Sequence, residues 1–237
     1  MLFKHACSLA AAAVTLVSMA AAQTPPPQVA ALKESLAKNQ VALKQYSWVE
    51  TTVISLKGEV KKQQQKQCYY GADGKVQKTP IGEQAPKAQE PSGGGRRGGR
   101  LKEKVVEKKV GEVKDYMEDV AALVHQYVPP DAQKIQAVQG AGNLAVQPAA
   151  GVTVLNLKNY LKPGDLLAIG FDPAALAMRS YNVSSYVEKP GDDAVAMAVT
   201  FGSLADGTSY PQLIVLDVKA KNIQVKVTNS GYKKAGS

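Results

Sequence analysis

The last third of the chain consists of six short extended segments with nothing helical between them. GVTVLNLKNY, LLAIGFDP, ALAMRSYNVSSYV, AVAMAVTF, PQLIVLDV and NIQVKVTN follow one another. They are separated by Pro163 and Gly164, Asp172 and Pro173, Pro190 and Gly191, Asp206 and Gly207, and the link Lys219 to Lys221. Links this tight leave no room for a helical crossover, so neighbouring segments must pair antiparallel, as a meander. Alternation is clean in two of them. Val195, Met197, Val199 and Phe201 face one way with Ala196, Ala198 and Thr200 opposite, and Ile223, Val225 and Val227 oppose Gln224, Lys226 and Thr228. A sheet built this way has one apolar face that something else must cover.

Earlier segments supply the cover. In VAALKESLAKNQVALKQ, residues Val29, Leu32, Leu36 and Leu43 recur at spacings of three, four and seven, which predicts a helix with one apolar face. A longer helix is predicted where Val106, Val110, Val113, Met117, Val120, Val124 and Tyr127 recur at steps of four and three, ending at Pro129 and Pro130. The stripe spans only about three heptads and Gly111 interrupts it, so it reads as a helix packed on a core rather than half of a coiled coil. Asp131 is placed to cap a short third helix carrying Ile135 and Val138, closed by Gly140 and Gly142.

Between the first two helices the period changes. Tyr46, Trp48, Ile54 and Leu56 share one side of a strand with Glu50 and Thr52 between them, and Lys57 and Gly58 form a turn. The return strand, Lys61 to Gln67, is polar on both faces until Cys68, Tyr69 and Tyr70, and is expected to be a solvated or edge strand. Asp73 and Gly74 give another turn, after which Pro, Gly, Gln and Lys take over. The fold class expected is α+β, a curved antiparallel sheet covered on its concave face by helices.

The N-terminus reads MLFKHACSLAAAAVTLVSMAAAQTPPP, with Lys4, an apolar run from Ala6 to Met19, and small residues up to Ala22. This is the layout of a cleaved signal peptide, and the run is too short to span a bilayer. The expectation is a periplasmic or secreted protein, not an integral membrane one. It comprises a signal peptide at 1–22, a proline linker at 23–27, one domain at 28–230 with a disordered Gly/Arg loop at 82–100, and a flexible tail at 231–237. Loss of Lys4 lowers the formal net charge from +9 to +8. An exported basic protein is drawn to anionic surfaces, and nucleic acid is not an expected partner.

Chemistry is sparse. The mature chain keeps one histidine, His125, and one cysteine, Cys68, so no internal disulfide can form. His125 lies off the apolar seam, on the side of Lys114 and Glu118, and reads as a surface residue. Asp165, Asp172, Asp192, Asp193 and Asp206 all sit at turns, where Asp bonds its own backbone. No catalytic residue, metal site or cofactor is expected, and the chain reads as one that binds or carries rather than an enzyme. In EPSGGGRRGGR, the run from Glu90, a flexible tether is the plain reading, and Arg96, Arg97 and Arg100 are candidates for weak contact with an anionic envelope surface.

The order of elements, with FDPAALAMRSYNV as a strand pair joined by an Asp-Pro turn and KNIQVKVTNSGY as a last strand, resembles the periplasmic lipoprotein carrier superfamily of LolA-like and LolB-like half-barrels. The resemblance implies an incomplete antiparallel barrel wrapped over helices, enclosing an apolar cavity for acyl chains. It places Trp48, Ile54, Met117, Met197 and Phe201 on that cavity, their alternative role being plain core packing. Lipid, a lipoprotein or an anionic envelope surface are then the partners expected of a monomer. The alternative is a structural or interaction protein of the envelope whose sheet is filled by its own side chains and holds no ligand.

Overall fold

A computed structural model of the chain describes residues 27–82, 99–175 and 177–234. The expected signal peptide, residues 23–26 of the linker, and Arg96 and Arg97 of the Gly/Arg run lie outside the described residues.

Helix α1 (Pro27–Leu43) leads into a hairpin of β1 (Tyr46–Leu56) and β2 (Glu59–Tyr70), followed by β3 (Val76–Pro80). Lys57 and Gly58 turn the hairpin with φ of 53° and 83°, a left-handed pair that glycine makes tolerable at the second position. Next come α2 (Gly99–Tyr127) and α3 (Ala132–Gly140). The chain finishes in seven strands: β4 (Leu144–Ala149), β5 (Val152–Lys158), β6 (Leu166–Asp172), β7 (Ala177–Tyr186), β8 (Ala194–Ser203), β9 (Ser209–Val218) and β10 (Ile223–Lys234).

All ten strands form one antiparallel sheet in the order β3-β2-β1-β10-β9-β8-β7-β6-β5-β4. The meander from β4 to β10 follows sequence order, as the short links require. One long-range pairing then completes the sheet: β1 lies against β10, from Tyr46 opposite Lys234 to Leu56 opposite Ile223. β3 and β4 are the two edges, so β2 is an interior strand, though a solvated one.

Several boundaries depart from those expected. β10 runs to Lys234, past the expected domain end at 230, because its last turn of strand pairs with the start of β1 and Tyr232 stacks on Trp48. α2 begins at Gly99, so the last two residues assigned to the Gly/Arg loop belong to the helix. Gly111 does not interrupt α2. β4 is an additional strand, turned onto β5 through Ala150 and Gly151 with φ of 41° and 82°.

The core gathers on one face. Leu155, Leu157, Leu167, Ile169, Val183, Val195 and Met197 from the meander share a buried cluster with Val120, Leu123 and Tyr127 of α2 and Ile135 and Val138 of α3. The expected α3 cap is present: Asp131 accepts from the backbone N–H of Gln133 at 2.7 Å and of Lys134 at 3.1 Å. α1 is tied to the sheet at Asn39, whose side-chain oxygen accepts from the Ser209 N–H at 2.7 Å.

Candidate functional site

Two neighbouring spaces open on the apolar face of the sheet. The larger, about 470 Å³, lies among Leu36 of α1, Val124 at the end of α2, and strands β7 to β10. Its floor follows from alternation: Met197 and Val199 on β8, Ile214 and Leu216 on β9, and Val225 on β10 all project to the same side. Phe201 stays on that side at a bulge between Thr200 and Phe201, where it pairs with Pro211. Only His125 and Tyr181 bring polar groups to the lining, and the Tyr181 hydroxyl donates instead to the backbone carbonyl of Tyr127. Exposed His125 and Val128, the latter 44% exposed, mark the rim.

The smaller space, about 370 Å³, lies under Leu43 at the end of α1, over β1, β3 and β10. Pro211 and Ile214 line both spaces. Here the sheet face changes character. Trp48 stacks on Tyr232 with centroids 5.6 Å apart and leans toward Tyr70 at 5.7 Å, while Lys78 clamps Glu50 at 2.9 and 2.6 Å. Asn229, 5% exposed, donates to the Pro211 carbonyl at 2.8 Å, but its side-chain oxygen is buried with no hydrogen bond.

The five residues placed on a cavity by resemblance are therefore divided. Met197 and Phe201 line the larger space and Trp48 lines the smaller. Ile54 and Met117 pack against the buried cluster and line neither. His125 is exposed, as its place off the seam predicts, yet it stands at the rim of the larger space, which helix periodicity alone does not reveal. Arg100 falls in the first turn of α2, and its side chain lies outside the described residues.

Neither Cys68 nor Asp172 lines either space. Cys68 is fully buried, and burial pushes its thiol pKa up, away from the nucleophilic thiolate. Asp172 behaves as turn chemistry predicts, accepting from Ala174 at 3.1 Å and Ala175 at 3.0 Å. Those bonds, the Ala175 one foremost, and the Arg179 guanidinium at 2.9 Å hold its carboxyl below the usual range. Among the described residues no three His, Cys, Asp or Glu side chains gather closely enough to hold a metal ion. No described helix is long and apolar enough to cross a membrane.

No protein-family model matches the chain, and no curated protein matches it.

Proposed function

We propose that this protein is an exported, non-enzymatic carrier that holds the acyl chain of a lipid or acylated ligand against the apolar face of its sheet. The larger space carries the reading. A volume of about 470 Å³ falls within the range of roughly 300–1,000 Å³ usual for ligand sites. The space is a groove open at its rim and lined almost wholly by apolar side chains, and apolar surface left uncovered in this way favours a ligand or partner. Lining of this kind offers an incoming ligand burial and almost no hydrogen bonding, which selects for hydrocarbon.

The sheet favours the same reading. Open, strongly twisted sheets rarely exceed about ten strands without curling, so a sheet of ten is compatible with a half-barrel. Export rests on the run from Lys4 to Ala22.

The test is native mass spectrometry of protein purified from its own host, with uptake of an apolar fluorescent dye measured in parallel. A co-purified lipid, and dye displaced by a fatty acid, are expected. Val199→Phe fills the space from its floor and is expected to abolish dye uptake while the circular dichroism spectrum stays native. A ligand-free protein that takes up no dye would overturn the carrier reading.

A further inference from the structure

The smaller space differs from its neighbour in ways that specify a different chemistry. Its charges cancel, because Glu50 and Lys78 are paired within it, so neither a cationic nor an anionic group gains from entering. Its walls are aromatic, supplied by Trp48, Tyr70 and Tyr232. It also holds an unmet demand. The Asn229 side-chain oxygen is buried and has no partner, an arrangement that costs about 1–3 kcal/mol until a donor arrives. Asn229 lines the space, and its oxygen comes within reach of a donor there only when the amide turns and gives up its bond to the Pro211 carbonyl, an exchange of one hydrogen bond for another.

We infer that this space receives an uncharged, hydroxylated head group, of the class of a glycosyl ring. A sugar ring fits each feature. Its hydroxyls are donors for the Asn229 oxygen and for the spare lone pairs of the Glu50 carboxylate, and acceptors for the remaining Lys78 protons. Its C–H faces are apolar and carry slight positive charge, which suits the negative faces of aromatic rings. Pro211 and Ile214 line both spaces, which are therefore adjacent, and in this assignment one amphiphile is set across them, chain in the larger and ring in the smaller. This assignment rests on the carrier reading only for the chain, since the polar space stands on its own residues.

The experiment uses Trp48, the one tryptophan in the chain, as the reporter inside the site. Octyl glucoside is titrated below its micelle concentration alongside methyl octyl ether, which has the same chain and no donor. Octyl phosphate and octylammonium supply charged heads. The glucoside is expected to bind about tenfold more tightly than the ether and to shift Trp48 emission. Asn229→Leu is expected to remove that advantage while leaving the ether unchanged, and Glu50→Gln, which keeps the shape but replaces one acceptor oxygen by a donor and leaves the Lys78 charge unpaired, to weaken the glucoside severalfold.

Equal affinity for glucoside and ether in the unaltered protein overturns the head-group assignment and leaves the carrier reading standing. Tighter binding of either charged head overturns it as well. Binding of the glucoside but not the ether, with dependence on Asn229, sustains the assignment and removes the acyl-chain cavity. Binding of none of the four probes overturns both.

Discussion

Asp165 is 2% exposed, and its two oxygens organise a whole corner of the molecule. They accept the backbone N–H groups of Tyr160 at 2.6 Å, Leu161 at 2.9 Å and Lys162 at 3.1 Å, closing the turn between β5 and β6. The Tyr127 hydroxyl donates to the same carboxyl group at 2.5 Å and accepts from Ser185 at 2.8 Å, which pins the end of α2 to that turn and to β7. Tyr127→Phe removes one buried donor and is expected to cost about 1–3 kcal/mol. Asp165→Ala strands three backbone donors and the phenol together and is expected to cost more, ~3 kcal/mol or above. Urea unfolding of the two variants checks the order, and equal midpoints would show that the Tyr127 bond is the only one that matters. Half of this corner is legible in sequence: Asp165 follows Pro163 and Gly164 and reads as a turn residue. The other half is not, because Tyr127 reads only as the last apolar member of a helical seam, and its partner stands 38 residues away.

At the scale of elements, legibility follows periodicity. The six late strands, β1 and helices α1 to α3 can be read from spacing, because each repeats apolar residues at the period of its own geometry, whereas β2, polar on both faces over most of its length, is read only from the turns that bound it. β4 cannot. LAVQPA is almost wholly exposed at a sheet edge, and Pro148, tolerated there, argues against a strand wherever it is read in isolation. The bulge in β8 and β9 is equally silent, yet it sets the geometry between the two candidate spaces. A Cβ on Gly202 would stand 2.8 Å from Cζ and 2.9 Å from the hydroxyl of Tyr210, whose ring lies 4.3 Å from that of Tyr232. Gly202→Ala therefore drives a rigid ring against the wall of the smaller space and is expected to destabilise by about 1–3 kcal/mol. In a Tyr210→Ala background the same change should be close to neutral. A double-mutant cycle without coupling would show that the ring does not occupy that place.

For the whole molecule, buried tyrosines set the response to alkaline pH. Burial raises the pKa of Tyr127, Tyr160, Tyr181 and Tyr232 above 10, with the bond to Asp165 adding to the effect at Tyr127. Tyr127 and Tyr181, at 0% and 4% exposure, tie α2 to the sheet, Tyr127 through its hydroxyl to Asp165 and Ser185 and Tyr181 through its hydroxyl to the Tyr127 backbone carbonyl, so ionising either removes the donor of one of these ties. The folded state keeps these protons where the unfolded chain releases them. Their contribution is therefore complete below pH 10 and falls as pH rises beyond it, by about 1.4 kcal/mol per pH unit for each buried phenol. Thermal unfolding between pH 8 and 11.5 should show a midpoint that declines steeply only above 10, with tyrosinate absorbance of the buried rings appearing together with unfolding. Tyr181→Phe loses a hydrogen bond at neutral pH but carries one ionisable group fewer, so its decline above pH 10 should be shallower than that of the unaltered protein. Parallel curves for the two, or tyrosinate absorbance complete near pH 10 in a still-folded protein, would mean that the phenols are not held in the interior that joins helix to sheet.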